Sequence, residues 1–255
     1  MIDLHTHILP GIDDGSDSLD STLQLAEIAL DNETDCIVAT PHSNQIGRFE
    51  NFCSEELNEL YEAVCRELAR EHLPLELYLG MEIFASDDMG EKIRSGHLIS
   101  LNRSRYYLVE FHFDESPDRI TEYLKLIFDA GGVPLIAHPE RYYCVQEYPF
   151  FVYDWLRMGC EAQINKGSIF GRFGRRAREC AHVLLDYDLV TAVASDAHSP
   201  YMRTTDMSDA QRYLSEVYGS DKAGRLLERN PRRILRDRDI PEHGWVPERE
   251  MRFYD

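Results

Sequence analysis

Histidine side chains recur along this sequence at spacings that suit a metal ion. His5-Thr-His7 places two imidazoles on alternate residues, and residues two apart on a β-strand project to the same side, so both can bind one ion. His42 follows a Thr-Pro pair, and Asp196-Ala-His198 combines a carboxylate with an imidazole. A single histidine of this kind is more often a hydrogen-bonded structural residue, but together the three segments predict a metal centre.

The candidate ligands share a position, because nearly all of them close a short apolar or β-branched run. Glu82 and Glu110 end otherwise apolar runs, where a carboxylate is costly unless it is paired or bound to a cation. Asp14 belongs to an Asp-Asp-Gly loop, a pattern that is also typical of a tight turn. The carboxyl ends of the strands in a parallel barrel meet at one face. We therefore expect the following side chains to converge: His5, His7, Asp14, His42, Glu82, Glu110, His138, Asp196 and His198.

Apolar runs and amphipathic patterns alternate along the chain, which predicts repeated βα units. The predicted strands span residues 2–5, 36–40, 75–82, 106–111, 134–138, 161–164 and 190–195. The predicted helices span 19–30, 54–71, 87–95, 117–130, 150–158, 174–186, 206–218 and 221–227, and Ser16, Ser54 and Ser116 are expected to begin helices. The absence of a long linker or repeat favours one α/β domain over residues 1–255.

The charge of the chain is strongly negative and uneven. Its 255 residues contain 27 Lys and Arg against 46 Asp and Glu, a net charge of −19. Residues 1–100 alone contain five basic and 21 acidic residues. This balance argues against a nucleic-acid partner, because phosphate neutralisation needs a surplus of basic side chains. It favours bound cations near the N-terminal half.

Cellular location and cysteine chemistry are also constrained. No apolar run approaches the roughly 20 residues of a membrane helix, and the start lacks the features of a signal peptide, so we expect a cytoplasmic protein without membrane insertion. The six cysteines form no CxxC pair, which favours free thiols over bridges or zinc ligands. No cysteine is followed by five residues and an Arg, the pattern of thiolate phosphatases.

Taken together, these motifs resemble the polymerase and histidinol phosphatase (PHP) family of metal-dependent phosphoesterases. The opening His5-Thr-His7 with its Asp-Asp-Gly loop, the block His138-Pro-Glu-Arg-Tyr142 and the stretch Ile164-Asn-Lys-Gly-Ser168 resemble more narrowly the bacterial tyrosine-protein phosphatases of capsule and exopolysaccharide operons. The resemblance covers residues 1–235 and implies a distorted (β/α)7 TIM-like barrel. Residues 236–255 form a tail of unknown role.

The resemblance also implies three divalent metal ions and their ligands. His5, His7, Glu82 and Asp196 would hold the first ion; Glu82, Glu110 and His138 the second; and Asp14, His42 and His198 the third. Mixed imidazole and carboxylate ligands favour Mn²⁺, Fe or Zn²⁺ over Ca²⁺ or Mg²⁺, and Mn²⁺ is the preferred choice. Such ions would turn a water into the hydroxide that attacks the phosphate in line.

Two arginines are the further candidate catalytic residues. Arg141 and Arg203 occupy places similar to the phosphate-contacting arginines of the tyrosine-phosphatase branch, and guanidinium groups match phosphate with paired donors. A surface salt bridge is the alternative role for either one. The phenolate leaving group of phosphotyrosine has a pKa of about 10 and depends little on a general acid, and we assign none.

The resemblance implies a phosphotyrosine protein substrate, namely the tail of a membrane-associated bacterial tyrosine kinase that controls surface polysaccharide synthesis. One alternative is a small-molecule phosphatase, such as a histidinol-phosphate phosphatase, and another is a module that binds metal without turnover. The oligomeric state is open. The arginine-rich segment 172–178 could steer an acidic tail, but a solvated helix face is the favoured interpretation. The aromatic segment 142–155 favours core packing, and residues 45–53 form a predicted loop near the site.

Overall fold

Residues 1–241 are described by a computed structural model, and within them helices separate short parallel strands. The nine strands are β1 (Ile2–Thr6), β2 (Cys36–Ala39), β3 (His42–Ser43), β4 (Glu76–Leu79), β5 (Glu82–Phe84), β6 (Tyr106–Glu110), β7 (Val133–Ala137), β8 (Glu161–Asn165) and β9 (Ala192–Ala194). The predicted tail is described only as far as residue 241, and residues 242–255 lie outside the described part.

Helices follow most of the strands. The α-helices are α1 (Leu19–Asp31), α2 (Glu55–Arg70), α3 (Met89–Arg94), α4 (Pro117–Asp129), α5 (Tyr143–Glu147), α6 (Phe150–Arg157), α7 (Lys166–Ile169), α8 (Arg175–Asp186), α9 (Ser208–Tyr218), α10 (Ser220–Gly224) and α11 (Asn230–Leu235). Short 3-10 helices span Leu101–Arg103 and Pro139–Arg141, and a π-helical turn spans Arg225–Arg229. The predicted helices are confirmed with small shifts at their ends, except that 221–227 divides between α10 and the π-helical turn.

Within residues 1–241 all strand pairs are parallel, and they form two sheets. β1 pairs with β2 and β2 with β4 in one sheet, while β3 pairs with β5 and the pairing continues through β6, β7, β8 and β9 in the other. The chain after β9 bonds to the end of β1, where the N–H of Asp196 donates to the oxygen of His5 and the N–H of His7 donates to the oxygen of Ala197. The expected α/β class with parallel strands is confirmed.

The strand predicted at 75–82 is wrong in one respect, because it divides into β4 and β5. Gly80 and Met81 separate the two parts, and a Cβ on Gly80 would lie 2.7 Å from a methyl of Leu101, so a larger residue would clash there. The neighbouring strand divides at the same level, where Pro41 has no N–H for a ladder and separates β2 from β3. The N–H of Glu82 donates to the Pro41 oxygen instead, at 3.1 Å.

Side-chain caps begin several of the helices, as the serines suggested. Ser54 accepts from the N–H of Leu57 and Ser116 accepts from the N–H of Arg119, each at the start of its helix. The predicted start at Ser16 is wrong. Ser18 caps α1, and the Ser16 hydroxyl bonds to the Ser18 oxygen instead. The local pattern of small polar residues does not distinguish the two serines, because only the path of the loop decides which one faces the helix.

The main hydrophobic core lies between the strands and the surrounding helices, and a smaller cluster is formed by the alternate strand residues on the opposite face. The aromatic segment is partly core, as favoured: Tyr142 and Trp155 are buried, whereas Tyr143 is 55% exposed. All six cysteines are free thiols. None of the helices in residues 1–241 is long and apolar enough to cross a membrane.

Tyr142 links the ends of two strands and yields a stability prediction. Its hydroxyl donates to the oxygen of Ala137 at 2.8 Å and accepts from the N–H of Phe111 at 3.2 Å. Tyr142→Phe should lower the free energy of unfolding by about 1–3 kcal/mol, because both backbone groups lose a buried partner. Tyr143→Phe is the matched control and should change it by less than about 0.5 kcal/mol. Urea unfolding of the two variants measures the difference; equal stabilities would contradict this role.

Candidate metal centre

The nine predicted ligands lie together at the carboxyl ends of the strands. Seven of them are buried, His42 is partly buried, and the Asp14 carboxylate is 45% exposed. Each is delivered by the end of a strand or by the loop that follows it. The sequence pattern alone predicted this convergence, since parallel strands place their carboxyl ends on one face.

Glu82 lies at the centre of the cluster, between four imidazoles. Its Oε1 is 3.2 Å from Nε2 of His5 and 2.9 Å from Nε2 of His138. Its Oε2 is 3.2 Å from Nε2 of His7 and 2.9 Å from Nδ1 of His42. One carboxylate thus contacts donor atoms from three different strand ends, since His5 and His7 both belong to the end of β1.

The remaining carboxylates surround this centre. Oδ1 of Asp14 lies 3.3 Å from His42 and 3.4 Å from His198. Oε1 of Glu110 lies 3.0 Å from His42 as well. Oδ1 of Asp196 lies 3.6 Å from Nε2 of His5 and 3.5 Å from Nε2 of His7.

Donor atoms lie within 4.8 Å of one another in three groups of residues, namely His7, Asp14, His42 and His198; His5, His7 and Asp196; and His42, Glu82 and Glu110. These groups overlap the three predicted ligand sets without matching them. His7 lies near both the first and the third set, and His42 lies near both the second and the third. Short bridges between sets are typical of multinuclear centres. The division of ligands among individual ions stays a prediction.

The chemistry of the donor set suits divalent cations. Oε2 of Glu82 and Nδ1 of His42 are buried and have no hydrogen-bond partner among the described residues, although they lie 2.9 Å apart. Once His42 is deprotonated, a divalent cation within reach of both atoms would satisfy their lone pairs. Three buried carboxylates in one cluster also need positive charge to offset their desolvation.

The pKa shifts in the cluster also indicate a site that needs positive charge. Burial raises the pKa of the Glu82 carboxyl, but the positive charges of His5 and His42 outweigh it and hold that pKa well below the usual range. Burial lowers the pKa of His42, but Glu82 and Asp14 raise it well above the ordinary value. Without a metal His42 therefore holds a proton, whereas burial and the neighbouring His7 lower the pKa of His198. Metal binding at His42 must displace that proton, so metal affinity should fall as the pH falls.

Two of the candidate ligands have a left-handed backbone. His138 has a φ of 36° and Asp196 has a φ of 52°, although neither is a glycine. Such residues cost free energy and persist where the surrounding structure holds them, often at functional sites. Here His138 directly follows β7 and Asp196 lies two residues after β9, and each turns its side chain into the cluster. No sequence signal marks this conformation.

Asp13 holds the His7 ring, a role that the sequence did not reveal. Its Oδ2 lies 2.7 Å from Nδ1 of His7 and also accepts from the N–H of His42 at 3.0 Å. The turn that places it depends on Gly15, where a Cβ would lie 2.2 Å from the oxygen of His7. The Asp-Asp-Gly pattern was the available signal, but it does not say which carboxylate contacts the histidine.

A chain of amides orients a second imidazole. Asn165 donates through Nδ2 to Oδ2 of Asp196 at 2.5 Å, and its Oδ1 accepts from Nε2 of Gln163 at 2.9 Å. Oε1 of Gln163 must then face Nδ1 of His5, 2.9 Å away. Because this oxygen only accepts, neutral His5 carries its proton on Nδ1 and leaves Nε2 free as a ligand. Neither amide was a predicted site residue.

The two sequence blocks that supported the resemblance contact each other. Glu140 is fully buried, and its Oε1 accepts from the N–H of Asn165 at 3.0 Å and from the hydroxyl of Ser168 at 2.5 Å. Lys166 donates to the oxygens of Thr204 and Asp206, and burial lowers its pKa to about 8. These bonds fasten the loop that carries Arg203.

Both predicted arginines reach the cluster. Arg203 forms an ion pair with Asp196, and NH1 of Arg141 lies 3.5 Å from the same carboxylate. The Arg141 guanidinium lies between two rings, 4.5 Å from the centroid of Phe113 and 4.4 Å from that of Phe173. Both arginines thus pair with a buried carboxylate of the cluster and face the site, and their catalytic role stays a prediction.

A cleft of about 640 Å³ opens above the cluster and is lined by both arginines. The predicted loop at 45–53 forms part of its wall. Gln45 donates to Glu110 at 2.7 Å, and the ring of Phe49 stacks on His42 with 5.4 Å between centroids. The site is thus a cluster of candidate metal ligands at the base of a cleft, with two guanidinium groups beside it.

Comparison with known proteins places this site in a family. Residues 1–236 match the family described as capsular polysaccharide synthesis, CpsB/CapC. The chain belongs to the CpsB/CapC family. The tyrosine-protein phosphatase YwqE of Bacillus subtilis is 34% identical over 94% of this chain and 93% of its own length. The tyrosine-protein phosphatase CpsB of Streptococcus pneumoniae is 35% identical over 94% of this chain and its own full length.

A solved CpsB/CapC structure agrees with this assignment. It comes from crystallography of YwqE from Bacillus subtilis and CpsB from Streptococcus pneumoniae, described as unique metal-dependent tyrosine phosphatases. It superposes with a TM-score of 0.89 at 32% identity, covering 97% of this chain and 99% of its own. The resemblance drawn from the sequence is confirmed.

The amide chain provides a prediction for the metal centre. Gln163→Leu replaces the amide by a shorter apolar side chain and removes the oxygen that accepts from His5, so it should weaken metal binding by about 10–100-fold. Gln24→Leu, on the exposed side of α1, is the matched control and should bind metal as the wild type does. Titration of Mn²⁺ against a competing chelator measures both. A Gln163→Leu variant with wild-type affinity would show that the amide does not orient the ligand.

Proposed function

We propose that this protein is a metal-dependent tyrosine phosphatase that releases phosphate from phosphotyrosine in protein substrates. The observation that carries the proposal is the cluster of imidazoles and carboxylates around Glu82, with Arg141 and Arg203 pointing into the same cleft. Membership of a family whose relatives bear the name tyrosine-protein phosphatase supports the substrate class.

The proposed ligand sets are those of the sequence: His5, His7, Glu82 and Asp196; Glu82, Glu110 and His138; and Asp14, His42 and His198. We propose three divalent ions, with Mn²⁺ preferred over Fe or Zn²⁺ because the ligands mix imidazole nitrogen with carboxylate oxygen. When bound, such ions lower the pKa of water and offset the charge of a phosphate. The central position of Glu82 supports its role as a shared ligand.

The arginines provide the other half of phosphate recognition. Arg141 and Arg203 now contact Asp196, and a phosphate entering the cleft offers them more acceptor oxygens in a geometry that suits a planar guanidinium. Phe113 and Phe173 hold the Arg141 guanidinium in position, so little conformational freedom is lost on binding. Because phenolate is a good leaving group, no side chain is required as a proton donor.

The biological setting follows from the family. We propose that the substrate is the tail of a bacterial tyrosine kinase and that its dephosphorylation tunes capsular or exopolysaccharide synthesis, in keeping with the description of the family. The free state of all six cysteines supports a reducing, cytoplasmic location. The match over residues 1–236 supports one catalytic domain.

Phosphate release from a phosphotyrosine peptide with Mn²⁺ tests the function. We expect chelator-sensitive release that is faster than release from histidinol phosphate. Glu82→Gln should lower kcat by more than about 100-fold, because it removes a shared ligand rather than an outer partner, whose loss costs about 10–100-fold. Glu59→Gln on the exposed face of α2 is the matched control. Faster release from histidinol phosphate would move the function to small molecules.

Arg141→Lys tests phosphate recognition separately from metal binding. Lysine keeps the charge but loses the paired donors, so KM for the peptide should rise about tenfold, a loss of about 1.4 kcal/mol, while bound metal stays at the wild-type level. Arg119→Lys is the matched control. Arg119 also lies over an aromatic ring, that of Tyr123, but its ion pairs are with Asp87 and Glu122 and not with a residue of the cluster. Loss of metal from Arg141→Lys would assign that residue to the metal centre instead.

A further inference from the structure

A groove leads away from the cleft across the start of α8. Two adjoining cavities of about 440 and 310 Å³ form it, and Gln146, Arg175 and Arg176 line both. We call this the arginine groove. Phe113 and Arg141 line both the metal-site cleft and the first of these cavities, so the groove is continuous with the cleft. A peptide with one side chain in the cleft can therefore extend along the groove.

The first cavity of the groove is basic, because Arg141, Arg175 and Arg176 line it with no acidic residue, whereas Glu147 and Glu179 also line the second cavity. The segment 172–178 contains four arginines and no acidic residue, in a chain whose net charge is −19. Arg176 is exposed and forms no ion pair with the described residues. Arg175 is 85% exposed at its side chain and is only 3.6 Å from Glu179, a surface pair of little energetic value. Both guanidinium groups are thus available to a ligand.

The sequence favoured a solvated helix face for these arginines, but the structure divides them. Arg175 and Arg176 line the groove, whereas Arg178 is exposed on the same helix and lines neither cavity. Arg172 donates to the oxygen of Met202 and so serves the loop that carries Arg203. Only the first two arginines of α8 combine exposure with a concave surface next to the cleft.

We propose that the arginine groove binds acidic side chains, Asp or Glu, that flank the phosphotyrosine of the substrate peptide. This deepens the function proposed above and rests on it. A chain with so much negative charge repels acidic peptides elsewhere, so a preference for them requires a local basic surface. The groove supplies that surface on one side of the cleft. It makes Arg175 and Arg176 specificity residues.

Binding and turnover of matched peptides test the groove. Three peptides would carry a difluorophosphonate in place of the phosphate ester, which prevents hydrolysis: one with two Glu after the modified tyrosine, one with two Glu before it and one with Ser at all four positions. Affinity for the metal-loaded full chain is measured by fluorescence anisotropy in low and high salt. The phosphotyrosine forms of the same peptides report turnover.

We expect one of the two acidic peptides to bind about three- to fivefold more tightly than the Ser peptide at low salt, with the difference shrinking at high salt. Arg176→Glu should abolish or reverse this preference. Arg178→Glu changes the charge by the same amount on the same helix but outside the groove, so it should retain the preference. Circular dichroism of both variants checks that α8 is intact.

Two results would contradict the proposal that the arginine groove binds acidic side chains. One is equal binding of all three peptides by the wild type, and the other is an equal loss of preference in Arg176→Glu and Arg178→Glu. Failure of the proposed function has a different signature, because no phosphotyrosine peptide would then release phosphate whatever its affinity. A preference for acidic peptides without turnover would support the groove and refute the phosphatase.

Discussion

The buried carboxylate of Glu82 is the constraint on which the site depends. It contacts four imidazoles from three strand ends, and no arrangement of neutral groups would offset the cost of burying it there. Cations and protons compete for the same lone pairs, which ties metal binding to pH. The strand ends must therefore lie within a few ångströms of one another, and the rest of the fold holds them there.

Breaks in the strands allow their ends to place the ligands close together. Pro41 and Gly80 divide two neighbouring strands at the same level, and after the break His42 stands in register with Glu82. His138 and Asp196 turn inward through left-handed backbone within two residues of the ends of their strands. These departures from regular structure cluster where the ligands are, as expected when strain is maintained for function.

Side chains outside the cluster determine which nitrogen of two candidate ligand histidines can bind a metal. Asp13 and Gln163 each contact the nitrogen of a histidine that faces away from the cluster centre, and so set which nitrogen is free to bind a metal. Beyond them the charge reverses, from a negative cluster to Arg141 and then to Arg176 along the groove. Under the proposed function, a phosphorylated, acidic ligand would meet cations deepest in the cleft and guanidinium groups outside them.

The sequence by itself determined the α/β class, most of the helices and all nine candidate ligands, because strand ends in a parallel fold share one face and polar residues there have no other common purpose. The family resemblance followed from the same residues. Tertiary structure alone decided the division of the predicted strand at Gly80, the choice of Ser18 over Ser16 as a cap, and the roles of Asp13 and Gln163. Each of these depends on contacts between residues distant in sequence or on the path of a loop, which local patterns do not encode.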